Sequence, residues 1–331
     1  MDTLLLEPAQ IGEAAAVIRR GGLLVFPTET VYGLGASAWD AGACRRVFEA
    51  KGRPADNPLI VHIFGTEMLG EVAADIPDAA QRLFAAFSPG PLTIILRRSP
   101  RIPDEVTAGL DTVGVRIPSH PVAQRLLRAA GMPVAAPSAN RSGRPSPTDF
   151  ASAVAEMRGR VDGILDGGAC EHGLESTILR VEDDGVTVLR EGAITREMIA
   201  AVLPAQRIAG WQAGTVPPGP GGPAEAPGTR HAHYRPQARV VAVESEEVAG
   251  VLLQMAGRHI GYIGLTPLVG ARATVPEVVV QVSDLGDYGR RLYGSFHRFD
   301  RAGCEVIVAE LPPAAGLGRA IRDRLMRASD A

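Results

Sequence analysis

The chain has 331 residues, 46% of them hydrophobic, and a formal net charge of −3. This length gives room for two domains with sizeable cores, and the charge offers no general attraction for nucleic acid. No apolar run reaches the roughly 18–20 residues that cross a bilayer, and the start, MDTLLLEPAQ, lacks the basic stretch of a secretory signal, so we expect a cytoplasmic protein with no membrane partner.

The three cysteines, Cys44, Cys170 and Cys304, are widely spaced and form no CxxC pair. This pattern argues against a zinc ribbon and against a disulfide framework, and it fits a reducing compartment. We therefore expect three buried, unreactive thiols.

Strand-like and helix-like stretches alternate over residues 1–205. Helices are predicted at 41–50 and 120–131, where apolar residues recur every three or four positions. Short apolar runs predict strands, in chain order, at 21–27, 58–63, 91–97, 112–118, 132–137, 161–168, 176–182 and 186–192. These elements predict an α/β sheet domain with polar clusters on its loops.

A dense polar cluster, PTETVYGLG (27–35), follows the first of these strands. Four hydroxyl or carboxyl side chains come after the strand end, and two glycines complete the cluster. Ligands collect at strand ends in α/β sheets. A helix N-cap would explain one threonine but not the whole run, so the cluster is a candidate binding segment.

The only lysine of the chain, Lys51, lies in the sequence KGRP, and the other 33 of the 34 basic residues are arginine. If the backbone is extended there, Lys51 and Arg53 point to one side, and the two cations suit a polyphosphate. Gly52 would let a ligand approach the chain closely. The alternative is a helix C-terminus with a glycine cap and cations against the helix dipole. A solvated helix end would have been free to become arginine, so the single lysine favours the binding interpretation.

Two polar residues follow the lysine. Asn57 precedes Pro58, where it could bind a ligand or simply form part of a turn. His62 lies on the apolar strand PLIVHI, and a histidine in such a strand is more often a core residue than a functional one. Both residues are therefore candidates with an ordinary structural alternative.

The loop PSANRSGRPSPT (137–148) contains a second group of hydrogen-bonding side chains. Ser138 and Asn140 repeat the spacing of two residues with neutral groups, and Ser146 follows on the Pro-rich part. The alternative is an ordinary surface loop, which is the commoner role of this composition.

Two arginines lie in predicted strands, Arg116 in TVGVRIP and Arg190 at the end of VTVLREG. An arginine is costly to bury in a strand unless it has an anionic partner. Each could lie on an exposed face. Together with Lys51 and Arg53, they favour a concave surface lined with positive charge.

A Pro/Gly-rich segment, PPGPGGPAEAPG (217–228), separates the chain into two parts, because nine of its twelve residues are Pro or Gly. We predict a first domain at 1–205, a linker at 206–236 and a second domain at 237–331. His231 and His233 form an HxH pair in the linker, which is a weak signal for a metal site.

The second domain alternates strands and helices regularly. The predicted elements are strands at 238–244, 258–265 and 304–311 and helices at 246–257, 285–303 and 316–329. This order predicts a small parallel sheet with helices on both faces. The layout is Rossmann-like, but the sequence has no GxGxxG motif, so we do not predict a dinucleotide site.

Several catalytic motifs are absent from the sequence: GxxxxGK[ST], GxSxG and HExxH. The chain therefore offers phosphate binders and neutral hydrogen bonders without an evident covalent nucleophile. This combination indicates a nucleotide-using reaction in which the substrates supply the nucleophile.

Six segments together resemble one known family. They are FPTETVYGLG, KGRPADNPLIVHI, PGPLTIIL, VGVRIPSHP, APSANRSGRPSPT and STILRV, with the KxR and SxN pairs that mark the YrdC-like family. The resemblance covers roughly residues 10–205. The remainder, with a linker ending APGTRHAHYRP and a small α/β domain, resembles the long two-domain form of threonylcarbamoyl-AMP synthase. The resemblance implies a YrdC-like twisted open α/β sheet around a large, positively charged concave cavity.

The resemblance also implies a reaction and its participants. L-threonine, bicarbonate or CO2 and ATP would give L-threonylcarbamoyladenylate, pyrophosphate and water. The product would supply the t6A modification of tRNA through downstream transferase machinery, so tRNA would be an indirect partner. No tightly bound cofactor is implied, and Mg²⁺ is expected with ATP.

Site residues carry over from the family by position. Threonine-side positions are matched by Thr30, His62, Arg116, Ala136 and Ser176. Nucleotide-side positions are matched by Lys51, Arg53, Asn57, Thr112, Ser138, Asn140, Ser146, Arg190 and Tyr234. Lys51 and Arg53 would be the catalytic cations. Ala136 stands where other members have threonine and can offer only its backbone, and Tyr234 suggests that the linker closes over ATP as a lid.

Two other functions compete with this one. The carbamoyl-adenylate-forming module of hydrogenase maturation is YrdC-like, but it carries zinc-finger and acylphosphatase segments that this chain lacks. An RNA-binding YrdC module is the second, against which the net charge of −3 and the lack of a basic, aromatic-interleaved stripe argue.

Overall fold

The computed structural model describes residues 2–182, 185–210, 226, 234–268 and 276–329. The predicted HxH pair at His231 and His233 lies outside the described residues, as does the Pro/Gly-rich segment apart from Ala226. Among the described helices, none combines the length and the apolar character needed to cross a bilayer.

A mixed sheet organises the first part of the chain. Its eleven described strands run in the order β1-β8-β2-β3-β7-β4-β6-β5-β9-β10-β11. Their bounds are β1 (Leu4–Leu6), β2 (Leu24–Phe26), β3 (Gly33–Ser37), β4 (Ile60–His62), β5 (Leu92–Arg97), β6 (Thr112–Arg116), β7 (Val134–Ala136), β8 (Gly163–Leu165), β9 (Thr177–Glu182), β10 (Gly185–Arg190) and β11 (Arg207–Gly210). The predicted strands are confirmed. Strand β11 pairs in parallel with β10, so this sheet continues beyond residue 205, where we predicted the first domain to end.

Helices connect these strands. The described ones are α1 (Ile11–Arg19), α2 (Ala41–Lys51), α3 (Leu69–Val72), α4 (Asp78–Phe87), α5 (Asp104–Thr107), α6 (Pro121–Ala130), α7 (Phe150–Met157) and α8 (Arg196–Val202). Helix α2 begins after Asp40, whose side chain accepts a hydrogen bond from the Ala43 amide at 2.9 Å. The helix ends at Gly52, which has φ +62° and so adopts the left-handed conformation that favours glycine.

Strand β3 was not predicted, because its sequence, GLGAS, contains two glycines. The structure explains one of them. A Cβ atom on Gly35 would lie 2.7 Å from Val134 Cγ1 and 2.8 Å from Phe26 Cε1. Only glycine therefore leaves room for these two side chains to pack against the backbone of β3.

Alternation along the strands separates a packed face of the sheet from a face with a cleft. Val61 and Val115 belong to the main hydrophobic core, whereas their neighbours Ile60, His62 and Arg116 line the cleft. Beside the cleft, four apolar side chains form a patch that Ala226 of the linker covers; they are Ile60, Ile95, Ile178 and Leu189.

The second domain has the predicted Rossmann-like layout. Its described sheet is parallel throughout, in the order β12-β15-β13-β14. The strands are β12 (Arg239–Val243), β13 (Ile260–Gly264), β14 (Val278–Gln281) and β15 (Val306–Glu310), and the helices are α9 (Val248–Gln254), α10 (Leu285–Arg301) and α11 (Leu317–Ser329). Helix α9 packs on one face, and α10 and α11 pack on the other. Strand β14 was not predicted.

The two domains share packed residues. Val31 and Leu174 of the first domain belong to the same hydrophobic cluster as α10 and α11. All three cysteines are buried and free, as predicted. Burial raises the pKa of the Cys44 thiol to about 12, which agrees with an unreactive role.

Candidate active site

The cleft encloses about 600 Å³, part of which is open to solvent. It lies on the sheet face opposite the main core. Its walls are formed by Thr28, Thr30, Val31, Gly33, Arg53, Ile60, His62, Arg116, Ala136, Pro137, Ser138, Asn140, Glu175, Ser176, Arg190 and Tyr234. Ten of the fourteen predicted site residues are in this set, although they come from eight separate parts of the sequence.

Arg116 has the anionic partner that its place in a strand requires. Its Nη2 donates to Glu29 Oε1 at 2.7 Å, and Glu29 Oε2 also accepts from the Ser119 amide at 3.1 Å. Burial raises the pKa of Glu29, but the Arg116 charge and these hydrogen bonds outweigh burial and leave the pKa below its ordinary value. Nε of Arg116 is buried without a hydrogen-bond partner among the described residues. The guanidinium therefore has a donor available in the cleft.

His62 is held as a neutral imidazole. Burial, and then the nearby Arg116 charge, lower its pKa to about 3. Its Nδ1 lies 3.2 Å from the Ile60 carbonyl oxygen, and its ring makes an edge contact with Phe26 at a centroid distance of 5.9 Å. The side chain is thus a fixed, uncharged hydrogen-bonding group beside Arg116.

Hydroxyl groups line the rest of this region. Thr28 Oγ1 and Thr30 Oγ1 are 2.8 Å apart, and Thr93 Oγ1 and Ser176 Oγ are 2.7 Å apart. Arg190 donates from Nε to the Ser176 carbonyl at 3.0 Å and from Nη2 to Ser176 Oγ at 3.1 Å. Ser176 therefore has a fixed orientation between a hydroxyl and a guanidinium.

Arg53 contributes the third arginine of the cleft. Its Nε donates to the Asn57 carbonyl at 3.0 Å, and its Nη2 donates to the Pro58 carbonyl at 2.9 Å. Burial lowers its pKa to about 9, and Arg190 adds to the decrease. These carbonyls hold the guanidinium at the start of β4.

Lys51 lies behind the cleft wall. The backbone at KGRP is the end of α2 and not the extended segment that we considered, so the helix C-terminus alternative describes its conformation correctly. However, the lysine is only 3% exposed. Its Nζ donates to the carbonyls of Ser138 and Asn140 and lies 3.5 Å from Asn140 Oδ1. Burial, and then Arg53, lower its pKa well below the ordinary value.

Three other predicted residues also lie outside the cleft wall. Ser146 donates to Glu175 Oε1 at 2.7 Å, so it supports the wall from behind. Asn57 is buried, and its Oδ1 has no partner among the described residues. Thr112 begins β6 and lines a small separate cavity with Pro58. Their predicted roles remain predictions.

A buried cluster, of which only Tyr234 was predicted from the sequence, closes one side of the cleft. Glu175 Oε2 accepts from Tyr293 Oη at 3.0 Å and from Arg324 Nε at 3.1 Å, and both donors belong to the second domain. Tyr234 of the linker stacks on Tyr293, with ring centroids 5.3 Å apart and an interplanar angle of 25°. No spacing signal connects these residues, because they lie up to 149 positions apart.

The fold and the cleft define a class of protein: an α/β protein with an arginine-lined cleft that suits small anionic ligands. Two family models match the chain. One is described as "Telomere recombination" for the Sua5, YciO and YrdC proteins and matches residues 16–192. The other is described as "Threonylcarbamoyl-AMP synthase, C-terminal domain" and matches residues 194–330. The chain therefore belongs to the Sua5–YciO–YrdC family, in its two-domain form.

Individual relatives cover nearly the whole chain. A threonylcarbamoyl-AMP synthase of Pyrococcus abyssi is 40% identical, over 98% of this chain and 95% of its own. One of Bacillus subtilis is 39% identical, over 99% and 95%. The crystal structure of P. abyssi Sua5 complexed with L-threonine matches with a TM-score of 0.89 at 38% identity, covering 99% of this chain and 98% of its own.

Proposed function

We propose that the chain is an L-threonylcarbamoyladenylate synthase, which converts L-threonine, bicarbonate or CO2 and ATP to L-threonylcarbamoyladenylate and pyrophosphate. The observation that carries this proposal is the match of both domains, at about 40% identity, to relatives named for that product. The second-domain match favours this activity over the hydrogenase-maturation and RNA-binding alternatives, neither of which is supported by these relatives.

The order of residues along two parallel strands supports separate threonine and nucleotide subsites. Strands β4 and β6 pair so that His62 lies opposite Arg116, and both strands end at these residues. Thr112 begins β6, and Asn57 lies three residues before the start of β4. Four residues of extended chain span about 13 Å. Arg116, assigned to threonine, and Thr112, assigned to ATP, would therefore lie about this far apart along β6, whereas Ser176 and Arg190 are hydrogen-bonded where the two subsites meet.

We assign the threonine carboxylate to Arg116, whose Nε has no partner in the described structure. An arginine beside a neutral histidine and two threonine hydroxyls suits an amino acid with a hydroxyl side chain. The P. abyssi relative was crystallised with L-threonine, which agrees with this assignment.

We assign the phosphates to Arg53 and Arg190. The threonine amine and CO2 form a carbamate, a carbamate oxygen attacks the α-phosphorus, and pyrophosphate leaves. This displacement needs positioning and charge stabilisation, which fixed guanidinium groups supply. Loss of one such group is expected to raise the barrier by about 3 kcal/mol, by analogy with the loss of one oxyanion donor.

The linker is proposed to act as a lid over ATP. Two described linker residues support this role, since Ala226 is buried on the apolar patch and Tyr234 is buried in the cleft wall. Tyr234 has φ +69°, a conformation that residues other than glycine rarely adopt. Removal of residues 206–331 should weaken ATP binding, and unchanged affinity would contradict the lid.

Other participants follow from the proposed chemistry. Mg²⁺ would enter with the triphosphate, and no group of three potential ligand side chains was found among the described residues. The adenylate would pass to transferase machinery that modifies tRNA, in the cytoplasm. The protein itself would contact tRNA only indirectly.

The test is incubation with labelled bicarbonate, L-threonine and ATP, followed by chromatography for a labelled adenylate and assay of pyrophosphate. We expect both products to form, and both to require threonine. Pyrophosphate release that depends on carbamoyl phosphate would support the hydrogenase-maturation alternative. Salt-sensitive tRNA binding without ATP turnover would support the RNA-binding alternative.

A further inference from the structure

A buried arginine of the second domain reaches the wall of the cleft. Arg324 lies on α11 and is 0% exposed. Its Nε donates to Glu175 Oε2 at 3.1 Å, and Glu175 is the carboxylate that lines the cleft. Buried arginines require a partner charge. Because the two residues belong to different domains, their ion pair connects the last helix of the chain directly to the cleft.

Glu175 is a charged group with several donors around it. Besides Arg324, it accepts from Ser146 Oγ at 2.7 Å and from Tyr293 Oη at 3.0 Å. Burial raises its pKa, but the charges of Arg324 and then Arg190 outweigh burial and leave the pKa below its ordinary value. A negative carboxylate in this position would repel a triphosphate unless its charge were neutralised.

Arg324 also holds two other parts of the site. Its Nη2 donates to the Glu191 carbonyl at 3.0 Å, and Glu191 directly follows Arg190 of the cleft. Its guanidinium carbon lies 5.4 Å from the centre of the Tyr234 ring, within the range of a cation–π contact. Its Nη1 donates to Asp323 Oδ2 of the same helix at 2.6 Å. One side chain thus contacts the cleft carboxylate, the backbone beside a cleft arginine and the linker tyrosine.

We propose that Arg324 is a positioning residue for ATP, through which the second domain completes the nucleotide side of the cleft. It neutralises Glu175 and fixes Glu191 and Tyr234, so that Arg190 and Tyr234 can meet the phosphates. This inference rests on the proposed function. It means that α11 contributes to the affinity for ATP and has little effect on the affinity for threonine.

The experiment measures ATP and L-threonine affinity of the full chain by calorimetry. In Arg324→Met, Glu175 keeps its charge without its partner. ATP affinity should fall about tenfold or more, whereas threonine affinity should change less than about threefold. In the double variant Arg324→Met/Glu175→Gln, most of the ATP affinity should return, because the unpaired charge is gone. A double variant as weak as the single one would overturn the neutralising role.

Arg319→Met is the matched control. Arg319 is on the same helix and also pairs across the domains, with Glu197 at 2.5 Å and with the Glu191 carboxylate at 4.0 Å, but it does not line the cleft. It should leave both affinities unchanged. A loss of ATP affinity equal to that of Arg324→Met would show a general effect of domain docking and overturn the proposal.

Two further outcomes are decisive. If Arg324→Met does not fold, Arg324→Lys keeps a positive charge near Glu175 and should retain most of the ATP affinity; a loss of about tenfold, or an equal loss for both ligands, would overturn the proposal. Normal ATP binding by a folded Arg324→Met variant would overturn this proposal alone. If the unaltered chain bound no ATP, the proposed function would fail and this inference with it.

Discussion

The single lysine of the chain occupies a position that suits an ammonium group. Three oxygen atoms of the loop at Ser138 and Asn140 surround its Nζ. An ammonium is compact and has three donors, whereas a guanidinium is a planar fork. Lys51 therefore orders the SxN loop from behind and is not a solvated helix end, and its predicted role as a catalytic cation remains a prediction.

Replacement of this lysine by arginine should be harmful despite the conserved charge. Lys51→Arg places a larger, planar group in a closed space, so we expect a loss of about 1–3 kcal/mol in the free energy of unfolding and weaker ATP binding. Urea denaturation and calorimetry measure these effects. Arg46→Lys, on the exposed side of the same helix, should change stability by less than about 0.5 kcal/mol. Equal effects in both variants would contradict the conclusion that the Lys51 site accommodates an ammonium but not a guanidinium group.

Arg116 combines a structural and a binding role that mutations can separate. Arg116→Gln leaves Glu29 as a buried unpaired charge, so it should cost about 3–5 kcal/mol of stability. The double variant Arg116→Gln/Glu29→Gln should recover much of this stability but not the threonine affinity. Thermal unfolding and threonine titration provide the two measurements. Recovery of threonine binding in the double variant would contradict the assignment.

His62 should make stability dependent on pH. Its pKa of about 3 in the folded state is below the ordinary value of 6.5, so the unfolded chain binds the extra proton. The resulting stability is present above pH 6.5 and is lost as the pH falls towards 3, by up to ~1.4 kcal/mol per pH unit. His62→Gln should therefore have a shallower dependence of unfolding free energy between pH 7 and 5. Identical slopes in the unaltered chain and in His62→Gln would show that protonation of His62 does not cause the pH dependence.

At the level of elements, strands with continuous apolar runs were predicted well, because burial on both faces selects such runs. Strand β3 was missed because it contains Gly35, and a glycine in the sequence usually predicts a turn. In the structure, close packing against Phe26 and Val134 requires this glycine. Arg116 and Arg190 were identified as cleft residues because cations are rare in apolar strands, and Arg53 because it lies two residues after the only lysine. Glu175 and Arg324 were missed, because the sequence contains many acidic residues and arginines and does not show which of them form a pair in the folded chain.

The end of α2 offers a test of helix capping. Gly52 has φ +62° with no atom within 4 Å of the position where a Cβ would lie, so a substitution meets strain but no clash. Gly52→Ala should cost about 1 kcal/mol of unfolding free energy. Gly52→Asn should cost less, because asparagine tolerates this conformation better. Equal costs, measured by chemical denaturation, would indicate a cause other than backbone conformation.

At the level of the whole molecule, the two domains were predicted as separate units, but their shared surface was not. Leu174 and Val31 are ordinary apolar residues whose packing against α10 depends on the final geometry. Glycines permit this contact. A Cβ on Gly173 would lie 2.5 Å from the Gly289 carbonyl oxygen, so loop and helix approach through their backbones.

A bulky side chain at this contact should separate the domains. A Cβ on Gly289 would lie 3.2 Å from Leu174 Cδ1 and 3.3 Å from the His172 carbonyl oxygen. Gly289→Val should therefore lower the free energy of unfolding by about 1–3 kcal/mol and make the contact between the two domains accessible to proteases. Gly294→Ala on the same helix, where the nearest atom is 3.8 Å away, should be neutral or stabilising. Equal protease sensitivity in both variants would contradict the packing argument.

The enclosure of Lys51 also makes the chain suited to a chemical measurement. Its ε-amino group is the only one in the sequence and is held under the loop at Ser138 and Asn140. An acylating reagent can modify it only when that loop lifts away and the amine loses its proton. The rate of acylation at this one position, followed by mass spectrometry, would therefore report how often the loop opens, without any added label.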